Sequence, residues 1–190
     1  MAFESIRMAS TYYAAPIFDA VNDDIAVEPG MLGQLKGIKE GMIYNYQNHI
    51  EGAEAQDIVI VDQPAVDELA ASRAARLRRN GFEVPAGTVF RVRSVAVNDI
   101  IGLTEDLFTY GSRELLNNTT DFTATTVYVI GNGIWGATTT KPEEGTYGII
   151  EAKRVSGSSI VTTARTYGKS NVIYAIRLLH IAGTAGNDGE

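Results

Sequence analysis

Gly131-Asn132-Gly133-Ile134-Trp135-Gly136 has the G-x-G-x-x-G spacing with which a glycine-rich turn cradles a dinucleotide pyrophosphate. It follows an expected strand at 125–130, and Glu151 stands about twenty residues downstream, where a ribose-binding acid would sit. That chemistry also needs a helix beginning within the glycines, so that its first amides meet the phosphates. Thr138, Thr139, Thr140 and Pro142 follow instead, none of which favours a helix there, and the expected structure is a Gly-Asn-Gly hairpin turn.

Other chemistries fare no better. His49 and His180 have no carboxylate or second histidine at metal-ligand spacing. Asp19, Asp23, Asp24 and Glu28 lack the D-x-D-x-D-G order and the later bidentate glutamate of a calcium loop, and read as solvated turn residues. Glu105 and Asp106 are paired acids, but a polar turn is expected there between a strand end and Leu107-Phe108. Ser112 and Ser170 have no G-x-S-x-G elbow, and the sequons in Asn117-Asn118-Thr119-Thr120 read as turn residues. With no cysteine there is no disulfide, Cys-based zinc site, iron–sulfur cluster or thiol nucleophile. No catalytic residue, cofactor or metal is therefore expected, and an enzyme is the least favoured class. Trp135 with Tyr128 and Tyr147 would make an aromatic platform for a sugar or other small ligand, although a single tryptophan in a turn more often packs.

The elements that would position these residues are mainly strands. A chain of 190 residues, 45% hydrophobic and 21% charged, suits a folded domain, and its net charge of −7 argues against nucleic-acid binding. No stretch approaches the roughly 20 apolar residues of a membrane span, and the first residues do not read as a secretory signal, so a soluble chain is expected. Residues 1–24 have no clean period and read as an extended arm, with Phe3, Ile6, Tyr12 and Tyr13 as apolar groups for a partner to bury. Strands are expected at 25–27, 31–36, 42–47, 57–62, 88–97, 100–103, 125–130, 147–154, 160–166 and 172–179, with a turn at 37–41. Helix signals cover 64–80: Pro64 in the first turn, Asp67 and Glu68 at the positive end, Arg76, Arg78 and Arg79 at the negative end, and Asn80-Gly81 as cap. Arg73, Arg76, Arg78 and Arg79 are the one basic cluster, suited either to the helix terminus or to an acidic partner surface. Residues 104–118 are ambiguous, with one helical turn at Glu114-Leu115-Leu116, and 182–190 are expected to fray. The fold class is mainly β (α+β): a small antiparallel barrel or sandwich spanning 25–181, with one amphipathic helix and an extended N-terminal arm.

Glu28-Pro29-Gly30-Met31-Leu32-Gly33-Gln34-Leu35 followed by Glu40-Gly41-Met42-Ile43-Tyr44-Asn45-Tyr46 forms a strand, glycine turn and aromatic strand. With Asp57 to Val61, Val84 to Val92 and Asn98 to Leu103 behind it, this layout resembles the head decoration (cement, auxiliary) proteins of tailed bacteriophages, over about 25–179. The resemblance implies a non-catalytic protein made in the host cytoplasm and carried on the virion. There it would bind the major capsid protein on the outer shell beside further copies of itself, without nucleic acid or membrane. The arm residues Phe3, Ile6, Tyr12 and Tyr13 and the helix residues Arg73, Arg76 and Arg79 are the candidate contacts. The Arg-rich helix and the loop 131–145 depart from the pattern. A tail-tube or connector protein is the alternative within the virion, and a ligand-binding β domain the alternative outside it.

Overall fold

The computed structural model describes residues 3–7, 17–48, 57–62, 83–142, 145–155 and 172–181. Eleven strands and one α-helix appear among them: β1 (Phe3–Arg7), β2 (Ile17–Val21), β3 (Leu32–Glu40), β4 (Ile43–Gln47), β5 (Ile58–Val61), β6 (Val89–Ser94), β7 (Ile100–Thr104), α1 (Tyr110–Asn118), β8 (Thr126–Val129), β9 (Trp135–Thr138), β10 (Tyr147–Val155) and β11 (Val172–His180). The chain is mainly β, as its composition and turn spacing led us to expect.

The strands form two units. In the first, pairing runs β2-β4-β3-β5-β6 and returns to β2, so the ring closes. Four of its five pairings are antiparallel, but β2 lies parallel to β4 (Asp19 beside Ile43, Ala20 beside Tyr44), which corrects the expectation of a purely antiparallel unit. Parallel neighbours need a crossover, and here the whole of β3 supplies it. Period-two alternation turns Phe18, Ala20, Tyr44, Tyr46, Phe90 and Val92 to one face, where Phe18 meets Tyr44 at 5.3 Å and Tyr46 meets Phe90 at 5.2 Å, both edge to face. Gly33 makes room for this: a Cβ there would lie 2.4 Å from the Tyr46 ring. All four residues of β5 are buried, as a β-branched run bounded by carboxylates suggests for a strand covered on both faces.

The second unit is a six-stranded antiparallel sheet in the order β1-β7-β11-β10-β8-β9. Tyr174, Ile176 and Leu178 of β11, with Ile101 and Leu103 of β7, are fully buried in a cluster that continues into the first unit. The arm reading of 1–24 therefore needs correction, since residues 3–7 and 17–21 are strands of the chain's own two units. The expected single helical turn at 114–116 is part of the nine-residue α1, of which Ser112 and Leu116 are buried. Arg113 ties α1 to the preceding 3-10 turn by donating from Nε to the Phe108 carbonyl (2.7 Å) and from its terminal nitrogen to the Asp106 carbonyl (2.9 Å). The helix lies along β9, where the Ala137 amide donates to Ser112 Oγ (2.8 Å) and the Thr109 amide to the Trp135 carbonyl (3.0 Å). The helix expected at 64–80, the strand at 160–166 and the tail 182–190 lie outside the described residues.

Candidate interaction surface

The glycine motif is structural. Gly131–Gly133 is one 3-10 turn joining β8 to β9, closed by a hydrogen bond from the Ile130 amide to the Ile134 carbonyl (2.7 Å), and a strand rather than a helix follows it. Gly133 has φ +72°, and a Cβ on it would lie 2.3 Å from the Leu32 carbonyl oxygen, so glycine is required where this turn meets β3. Trp135 is fully buried and its indole N–H donates to the Gly30 carbonyl (3.1 Å). That overturns the aromatic platform: the tryptophan is the bolt between the two units and has no face left for a ligand.

Of the remaining chemical candidates, His49 and Ser170 lie outside the described residues, Asp106 Oδ2 is buried without a hydrogen bond, and several others have structural partners. His180 hydrogen-bonds the Gly145 carbonyl through Nδ1 (2.8 Å) and stacks on Tyr147. Asp23 pairs with Lys39, while Asn22 Oδ1 accepts the amides of Asp24 (3.0 Å) and Ile25 (3.2 Å), which makes 22–25 a capped turn. Ser112 serves α1 and β9, and the stretch Glu105–Leu107 is a 3-10 turn. No group of three or more metal-ligating side chains occurs among the described residues, nor is any helix there long and apolar enough to cross a membrane. Two buried phenols stand out. Burial alone pushes the Tyr46 hydroxyl well above the usual tyrosine range, and burial followed by the nearby Glu105 charge pushes Tyr174 up to about 12. Neither hydroxyl has a hydrogen-bond partner.

Of the sequence-derived contact residues, Phe3 and Ile6 fall on β1, whose backbone pairs with β7; Phe3 is opposite Leu103 and Ile6 sits at a break in register. They are thus tied to the chain's own sheet rather than to a free arm. Tyr12, Tyr13, Arg73, Arg76 and Arg79 lie outside the described residues, so the structure does not bring the set together.

What the structure displays instead is the β3–β4 hairpin. β5 accompanies β3 only as far as Gln34, and from Leu35 outward β4 is its sole described neighbour. Every residue from Lys36 to Met42 is exposed, including Ile38 at 60% and Met42 at 85%. Register breaks flank Ile38 on both sides, Gly37 and Gly41 have φ of +118° and +57°, and Lys39 braces the tip against Asp23. The 37–41 turn expected from the sequence is thus a bulged extension of β3 that projects beyond the barrel. The signal was the run Gly37-Ile38-Lys39-Glu40-Gly41-Met42, in which one apolar residue lies between two glycines and another follows the second. Comparison with family models, with curated proteins and with solved structures gave no match.

Proposed function

We propose that this chain is a structural virion protein that binds the outer surface of a phage capsid and stabilises it. The observation that carries the reading is the placement of the resembling segments. Residues 28–35 and 40–46 are the β3–β4 hairpin and its approach, with a fixed base in the barrel and an apolar tip in solvent. Residues 84–92 and 98–103 lead into and include most of β6 and β7, at the passage from barrel to sheet. A rigid body with a protruding apolar tip suits a clamp on a repeating surface. A ligand that binds only the assembled shell stabilises that shell by mass action, and many modest contacts suffice. The partners in this reading are the major capsid protein and neighbouring copies of the chain.

Quantitative mass spectrometry of gradient-purified particles whose genome carries this gene tests it. We expect one copy per capsid subunit, or per small cluster of subunits. A handful of copies per particle would move the protein to the tail or connector, and absence from particles would remove it from the virion altogether.

A further inference from the structure

We propose that Met42 is a reversible oxidation site: its thioether takes one oxygen from a hydroperoxide and gives it up to thiol-dependent reductases while the fold stays intact, whether or not the chain sits on a capsid. The chain has no cysteine and four methionines, so no thiol competes and the thioethers are the groups that a peroxide oxidises. Met1 and Met8 lie outside the described residues, and the other two stand in opposite surroundings. Met31 belongs to the core cluster and is 8% exposed. Its sulfur accepts from the Glu28 amide (3.4 Å) and from the Asn48 side-chain nitrogen (3.9 Å). Lone pairs engaged in this way are poor nucleophiles, and an added oxygen would need room that a packed core does not have. Met42 stands at the turn just before β4 and is 85% exposed. The preceding Gly41 has φ +57° and nothing within 4 Å of a Cβ position, so the turn is open around it.

With hydrogen peroxide the step balances without a cofactor. A Met42 lone pair attacks one peroxide oxygen, the O–O bond breaks, and the proton on the transferred oxygen leaves with the other half as water. Sulfur loses two electrons and the peroxide gains them. The return step consumes two thiols, which become a disulfide as the sulfoxide oxygen departs as water. Both lone pairs of so exposed a sulfur are open to attack, so both sulfoxide epimers form, and full return needs the reductase specific for each. The sulfoxide is polar, but a side chain already in water displaces no packing when it becomes so.

The test treats the full chain and its Met42→Leu variant with hydrogen peroxide and follows each methionine by tandem mass spectrometry, in buffer and in denaturant. We expect Met42 to oxidise at least about tenfold faster than Met31 in the folded chain, and the two to oxidise alike once the chain is unfolded. Measured against Met42→Leu treated in the same way, the oxidised wild type should shift its thermal midpoint by less than about 2 °C. Incubation with both epimer-specific reductases and dithiothreitol should return Met42 to its original mass, and either reductase alone should return about half of it. Equal oxidation of Met31 and Met42 in the folded chain would overturn the site. A larger fall in the midpoint would overturn the claim that the fold is untouched, and a sulfoxide that survives both reductases would overturn reversibility.

Discussion

The two ends of β3 do opposite things. At Leu32 to Gln34 the strand is sealed: the backbone of Leu32 touches Gly133, the Gly30 carbonyl just before it holds the Trp135 indole, and the Tyr46 ring covers Gly33. At Lys36 to Glu40 the same strand stands exposed, with β4 its only neighbouring strand among the described residues. Sequence composition hardly distinguishes the halves, since Leu-Gly-Gln-Leu and Gly-Ile-Lys-Glu each mix glycine, aliphatic and polar residues. Neighbours decide. The inner half is fixed by two units that close on it, and that fixation gives the outer half a firm base from which to project.

This contrast is open to direct attack. Trp135→Ala removes the bolt and leaves a cavity plus an unpartnered Gly30 carbonyl; it should cost about 3–5 kcal/mol in chemical unfolding, and a loss below about 1 kcal/mol would mean the units are not held together there. Gly133→Ala forces a methyl group against the Leu32 carbonyl at positive φ and should cost about 2–3 kcal/mol.

Alkaline titration probes the buried phenols. Their folded-state values are raised, so stability is fully present below about pH 10 and is lost as pH climbs through the folded value, which for Tyr174 is about 12. Tyr174→Phe should therefore blunt the loss between pH 10 and 12, a window bounded by the ordinary tyrosine value of 10.0 and that raised value. Unchanged alkaline unfolding would show that the hydroxyl finds a partner in solution. Tyr46→Phe deletes a buried hydroxyl without a hydrogen bond and should stabilise the protein by about 1 kcal/mol at neutral pH. At the solvent end, Ile38→Ser/Met42→Ser should change stability by less than about 0.5 kcal/mol; a larger cost in thermal unfolding would place the tip in the folding core after all.

Legibility in the sequence follows the same divide between local and distant causes. β5, β6, β7, β8, β10 and β11 lie within three residues of their expected bounds, because β-branched runs between turn residues are local signals. The Gly131–Gly133 turn was readable for the same reason: the residues after it refuse a helix. β1 and β2 were not readable, since Phe3–Arg7 and Ile17–Val21 are short and their partners, β7 and β6, are far along the chain. The parallel pairing of β2 with β4 has no sequence signature at all. α1 was only glimpsed because its apolar stripe is a single turn, with Ser112 occupying the other buried position. The bolt at Trp135 was visible as a residue and invisible as a role, since the carbonyl it meets belongs to a turn 105 positions earlier.

The order of the strands has a consequence for synthesis. β2 to β6 are contiguous in sequence, from residue 17 to 94, and need nothing outside that span to close their ring. β1 precedes them and must wait for β7, with Phe3 facing Leu103 across a separation of 103 − 3 = 100 positions. At translation rates of about 5–20 residues per second, that wait is roughly 5–20 s. The barrel therefore has time to form on the ribosome while β1 is idle, and β1 can pair only with a strand made after all five strands of the barrel.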